Sequence, residues 1–380
     1  MKESKRIGII TSYLDFDKNY GGVLQAYALS KQIRLLGYES FIMPYIYDFY
    51  PKSKEKKVIQ LAKHVYHVIN PKTKNYLKRM KMSRVMHDFV NAYLPMYSES
   101  RILLDELKAE SPKFYAFVCG SDQVWSTRLQ KDRCDPGMFL KFVTKGVKKI
   151  AYAPSMGSTI SVTDSTATDI RNSLADFSAL SIREKKGKDL LKSITGKDID
   201  IVLDPTLLLE PSNYEEICIK PKNIPEKYIL VYRFGGIPFN LEKIKEVQRA
   251  LNLSIIELPS SAISQGDNLP KRYDVNPGMF LELIKNATLV CTDSFHATVF
   301  SIIFRTPFLC FYRQDPISTN NMNGRLDDLL EMTKLKNRIV NFGDEIDYSK
   351  VFDIDFTEAH KEIEKRRQSS LQFLIKALGE

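Results

Sequence analysis

Short apolar runs that stop at small or polar residues, each followed by a helical pattern, constrain this chain more than any other feature. RIGIITSY reads as a buried strand ending in hydroxyl-bearing residues. GGVLQAYALSKQIRLLGY then reads as a helix closed by Gly37, and ESFIMPYI as a second strand. Two strands joined through a helix run parallel, and a parallel sheet needs helices on its faces. The form recurs. FYAFVCGSDQVW breaks at Gly120, KKIAYAPSMGS at Pro154 and Gly157, and ALSIREKKG runs from a strand into a helix start. DIDIVLDPTLLL sets a strand edge at Asp204 and Pro205.

A second series begins near Lys227. KYILVYRFG, LSIIELPS, the end of PGMFLELIKNATLVCTDS and PFLCFY are its strands, while NLEKIKEVQRAL and ATVFSIIF are helices. FTEAHKEIEKRRQSSLQFLIKAL is a long amphipathic helix, either a brace across the first unit or an interface. A chain of 380 residues suits two domains. The expected division is an α/β unit over residues 1–225, a second over 226–350, and a C-terminal helix over 351–380. In open α/β sheets the ligand crevice lies beyond the carboxyl ends of the strands.

The formal net charge is +10. Residues 51–90 carry eleven Lys or Arg against two acids, Glu55 and Asp88. This segment reads as helical, as an insertion or a flap over the first domain. Its charge fits a solvated surface, or attraction to an anionic membrane face or acidic saccharide. Nucleic acid is not expected as a partner, because no recognition module or stacking pattern accompanies the charge. The five cysteines, Cys119, Cys134, Cys218, Cys291 and Cys310, show no ligand spacing and are read as reduced thiols. The start is too polar for a signal peptide, and no apolar run reaches the length of a membrane span. A cytoplasmic location is expected, with peripheral contact at the inner membrane face left open.

Several strand ends carry chemistry. In NYGGVLQAY, Gly21 and Gly22 permit close backbone approach, and free amides at the helix start suit an anion or sugar oxygens. A plain tight turn is the other reading. Asn19, Tyr20 and Gln25 have side chains suited to polyol hydrogen bonding. In GSDQVW, Gly120 and Ser121 form a turn. Asp122 either caps a helix or handles an acceptor hydroxyl. Trp125 either stacks on a sugar face or anchors the turn in the core. Arg183 and Arg325 each read as a surface ion pair or as a fork for phosphate or carboxylate. His296 follows Asp293 and Ser294 and precedes an apolar helix. A satisfied core histidine, a phosphate ligand and a proton carrier are its open readings, and no neighbouring ligand set supports a metal.

In their order and spacing, IGIITSY, NYGGVLQAYAL, VCGSDQVW, SIREKKG, DIDIVLDPTLLL, TDSFHATVFSIIFRTPF and GRLDDLL resemble the polysaccharide pyruvyl transferase family, over roughly residues 6–335. The resemblance implies two Rossmann-like domains facing an interdomain crevice, in the form of GT-B glycosyltransferases. It implies transfer of the enolpyruvyl group of phosphoenolpyruvate to a saccharide or lipid-linked oligosaccharide, giving a pyruvate ketal and phosphate, with no further cofactor. His296 then belongs to the donor-holding segment. The expected site joins His296, Asp122 and Arg183 as catalytic groups to Asn19, Tyr20, Gly21, Gly22, Gln25, Ser121, Trp125, Ser294 and Arg325 as substrate contacts. Relatives have Arg-Leu-His where this chain has Ser294, Phe295 and His296. Serine cannot supply the charge or the fork of donors, so either Arg183, Arg305 or Arg325 compensates, or the donor or reaction differs. A transferase of another group, such as a sugar from a nucleotide donor, and a noncatalytic saccharide-binding protein stay open.

Overall fold

The computed structural model describes residues 5–13, 19–45, 74–235, 237–260, 269–313 and 323–379. Two parallel sheets organise them. The first holds β1 (Arg6–Ile10), β2 (Glu39–Ile42), β3 (Ala116–Cys119), β4 (Lys148–Ala151), β5 (Ala179–Ile182) and β6 (Asp200–Ile201), ordered β2-β1-β3-β4-β5-β6. The second holds β7 (Tyr228–Tyr232), β8 (Ser254–Glu257), β9 (Leu289–Thr292), β10 (Phe308–Phe311) and β11 (Ile339–Val340), ordered β11-β10-β9-β7-β8. β3, β7, β9 and β10 are buried along their whole length. That is why they read as unbroken apolar runs rather than alternating ones. β1 keeps Gly8 because a Cβ there would lie 2.4 Å from Phe117 Cε1 on β3. Strand order reverses between β1 and β3 in the first sheet and between β7 and β9 in the second. Such switch points open the crevices in which α/β sheets bind ligands.

The helices are α1 (Tyr20–Leu35), α2 (Lys74–Tyr93), α3 (Leu104–Glu110), α4 (Asp164–Leu174), α5 (Lys185–Thr195), α6 (Pro211–Glu215), α7 (Pro238–Leu251), α8 (Pro277–Lys285), α9 (Phe295–Ile303), α10 (Gly324–Met332) and α11 (Thr357–Gly379). Of the basic stretch 51–90, residues 51–73 lie outside the described residues, and the remainder falls in α2.

The two sheet units meet through an apolar seam. Tyr20 at the start of α1 stacks on Phe280 of α8 at 4.7 Å and meets Tyr232 edge-on at 5.4 Å. Tyr214 of α6 meets Phe300 of α9 edge-on at 5.1 Å. One core cluster therefore runs through both units, holding Ile9 and Leu24 together with Leu230 and Val290. α11 touches both sides. Ser370 Oγ accepts from Leu203 N at 3.0 Å and Arg367 Nε donates to Leu207 O at 2.9 Å, while His360 Nε2 lies 2.9 Å from Ile302 O in α9.

Candidate active site

The carboxyl ends of the two sheets supply one group of charges. Asp204, just past β6, is its hub. Asp204 Oδ1 accepts from Thr206 N at 3.0 Å and Thr206 Oγ1 at 2.6 Å, which fixes the carboxylate over the turn Pro205–Leu207. Asp204 Oδ2 accepts from Arg183 Nη1, lies 3.3 Å from Ser121 Oγ, and lies 3.6 Å from His296 Nε2. Burial alone would raise the Asp204 pKa, but His296 and Arg183 hold it well below the usual carboxylate range.

Arg183, just past β5, is buried and ion-paired. Besides Asp204 it reaches Asp122 Oδ1 at 3.5 Å and lies over the Phe295 ring at 4.8 Å. Burial works against its charge, and Asp204, Asp122 and Glu184 overcome that and raise its pKa. Arg325, in the first turn of α10, is also buried, and among the described residues its one ion partner is Asp122 Oδ1 at 3.6 Å. Burial, then Arg183 and Arg313, push its pKa down to about 10 against the pull of Asp122 and Glu184. Positive charge is thus in surplus at Arg325. A cavity of about 600 Å³ opens beside it, with Arg183, Asp204, Phe295, Arg325, Met332 and Ser370 in its wall.

His296 sits in the first turn of α9, whose N-terminus is capped by Ser294 Oγ accepting from Ala297 N at 3.4 Å. The ring lies on the seam between the units. Nε2 faces Asp204, and a Cβ built on Gly21 would lie 2.2 Å from Nδ1. His296 is 4% exposed and does not line the cavity, and among the described residues its Nε2 makes no hydrogen bond.

The structure brings His296, Asp122, Ser121, Arg183 and Arg325 together and revises other expectations. Trp125 is fully buried, stacks on Phe139 at 5.4 Å and donates from Nε1 to Met138 O at 3.2 Å. It anchors the core and offers no face to a sugar. Asp122 caps no helix, because the chain continues there as a turn with φ 63° at Asp122. Tyr20 is packed into the aromatic seam instead of binding polyols. The Gln25 amide is consumed within the protein. Its Nε2 donates to Thr11 Oγ1, Ser12 O and Gly22 O at 2.9–3.0 Å, and Oε1 accepts from Ser121 N at 3.2 Å. It ties the ends of β1 and β3 together. Asn19 caps α1 by accepting from Gly21 N at 3.0 Å. Gly21 makes room for the His296 ring, and Gly22 for the backbone after β1, since a Cβ there would lie 3.3 Å from Ser12 O. Ser294 spends its hydroxyl on the α9 cap. Arg305, exposed just beyond the far end of α9, does not reach the site.

Two residues carry more than their sequence suggested. Asp204 showed only as the punctuation of DPT after a strand, and Arg313 only as the charge closing PFLCFYR. The available signal was the same for both: an ionisable residue at the carboxyl end of an apolar run.

Residues 19–315 match the family model described as polysaccharide pyruvyl transferase. The chain belongs to that family. The pyruvyl transferase match runs from β2 to β10 and includes Asp122, Arg183, Asp204, His296 and Arg313, but stops short of Arg325. Among curated proteins, none matches the chain. Distant likenesses among solved structures include UDP-GlcNAc 2-epimerase from Methanocaldococcus jannaschii, with 12% identity over 93% of each chain and a TM-score of 0.47. Another is the spinosyn forosaminyltransferase SpnP, with 12% identity over 100% of each chain and a TM-score of 0.47. S. aureus TarM shares 11% identity over 99% of this chain and 100% of its own, with a TM-score of 0.48. Among the described residues no cluster of His, Cys, Asp or Glu could hold a metal ion, and no helix is long and apolar enough to cross a membrane.

Proposed function

We propose that the cleft between the two sheets transfers the pyruvyl group of phosphoenolpyruvate to two neighbouring hydroxyls of a saccharide. The observation that carries this reading is Arg325, a buried guanidinium that reaches Asp122 at 3.6 Å and shares a cavity wall with Arg183 and Asp204. A phosphorylated carboxylic acid supplies the missing negative charge, and family membership names that acid. The methylene carbon of phosphoenolpyruvate takes a proton and becomes a methyl group, leaving C2 with oxocarbenium character. One sugar hydroxyl adds to C2 and loses its proton, the C2–O bond to phosphate breaks, and the second hydroxyl closes the ketal with loss of its own proton. Arg325 holds the anion through this sequence. His296, oriented by Asp204, is assigned the proton that reaches the methylene carbon, and Asp122 the acceptor hydroxyl.

In this reading residues 226–350 form the donor side, residues 1–225 the acceptor side, and α11 braces them. Ser370 and His360, which meet the backbone on either side of the cleft, support that division. The basic stretch 51–90 is assigned to an acceptor held at an anionic membrane surface. Co-sedimentation with anionic vesicles that weakens as salt rises is the expected behaviour, and equal binding to neutral vesicles would remove the assignment. The activity itself is tested with phosphoenolpyruvate and a panel of lipid-linked and nucleotide-linked sugars. Phosphate release together with a pyruvyl mass gain on one acceptor is expected. Tight binding of a nucleotide sugar without any binding of phosphoenolpyruvate would overturn the reading.

A further inference from the structure

We propose that Arg313 is a second guanidinium ligand for the donor, supplying the charge that Ser294 lacks. The proposal rests on the pyruvyl-transfer reading above. Arg313 stands just past β10, at the carboxyl edge of the second sheet. Its guanidinium lies over the Phe234 ring at 4.4 Å, and Nη2 donates to Asp293 O at 3.4 Å. Asp293 immediately precedes Ser294, so the guanidinium sits beside the point from which a side chain at 294 departs. A charge absent from one strand end is thereby present on its neighbour.

The carboxylate nearby takes up this charge only at long range. Asp293 accepts from Phe234 N at 2.7 Å and Gly235 N at 2.6 Å, and its nearest approach to Arg313 Nε is 3.9 Å. Among the described residues Nε makes no hydrogen bond. The backbone around Arg313 is fixed on two sides. A Cβ on Gly235 would lie 2.4 Å from Arg313 O, and Arg313 N donates to Asn323 Oδ1 at 3.2 Å, tying the end of β10 to the start of α10 and hence to Arg325. A planar fork resting on an aromatic ring, with Nε unbonded, is organised in advance for a carboxylate or phosphate. Arg183 is already occupied by Asp204 and Asp122, and Arg305 is remote. Arg313 and Arg325 are the pair that suits a small ligand with two anionic ends.

Calorimetric titration with phosphoenolpyruvate separates this proposal from the reading beneath it. Wild-type protein that does not bind phosphoenolpyruvate overturns both. If the wild type binds, Arg313→Ala should weaken binding about tenfold or more, the size expected for a charged hydrogen-bonding partner. Its ligand-free melting temperature should stay close to wild type, a result that a purely structural residue would not give. Where the alanine variant does not fold, Arg313→Gln keeps a stem over Phe234 while removing the charge, and the same loss is expected. Unchanged affinity in the folded variant overturns the assignment.

Discussion

Arg325 and Asp204 sit within one charge cluster and respond to pH with opposite signs. Arg325 is a cation whose folded-state pKa, about 10, lies below its ordinary value. Such a group costs stability wherever it is charged, so the cost is present below pH about 10 and fades as pH rises through that value. Arg325→Met should therefore stabilise the ligand-free protein by about 1 kcal/mol while abolishing the rise in melting temperature that phosphoenolpyruvate produces. A lower ligand-free melting temperature in this variant would contradict the surplus-charge account. Asp204 is a carboxylate held below its ordinary range. Its stabilisation is present above the unfolded pKa of about 4 and is lost as pH falls through the folded value. Asp204→Asn should cost about 3 kcal/mol at pH 7, because Arg183 and His296 lose their shared partner. Urea titrations at pH 7 and at pH 3 check this, and the gap from wild type should narrow at the lower pH. Sequence displayed the chemistry of these side chains but not what consumes it. Gln25 and Tyr20 have groups suited to sugars, and both are enclosed by neighbours distant in the chain. Asp204 and Arg313 look like ordinary strand-end residues until the sheets bring them beside His296 and Ser294.

The fully buried strands were legible because burial on both faces leaves no room for polar alternation, as in AFVC ending at Gly120 or LVCT merging into Asp293. β11, with two residues, and α6, with five, are too short to show any period. α3 and α4 carry weaker sequence patterns than the strands around them. α9 starts two residues before the apolar run ATVFSIIF, since Phe295 and His296 look like loop chemistry until Ser294 is seen to cap them. α11 carries a consequence of its own. Leu203 N, one residue before Asp204, finds its acceptor in Ser370 Oγ of that helix. Ser370→Ala leaves a buried amide without a partner, at a cost of about 1–3 kcal/mol. Turnover should fall by more than affinity for phosphoenolpyruvate does, because the displaced group orients His296 rather than the donor. Steady-state kinetics beside a binding titration would show this, and an equal fall in both would deny α11 any influence on Asp204.

At the scale of the whole molecule, the two-sheet plan follows from the sequence, because each run of strand–helix alternation closes its own parallel sheet. The way the sheets join was not legible, since it depends on aromatic contacts between residues far apart in the chain, such as Tyr20 with Phe280. At that seam Gly21 of one unit lies directly against the His296 ring of the other. Glycine there is a clearance, in the sense that a machinist uses the word. The two bodies seat only because one position on the mating face carries no material. Gly21→Ala inserts a shim one carbon thick, and the ring must then turn away from Asp204 or the bodies must part. Small-angle scattering should record a larger radius of gyration than wild type, or phosphate release should collapse with the radius unchanged. A variant with wild-type dimensions and wild-type turnover would mean that the joint has play to spare.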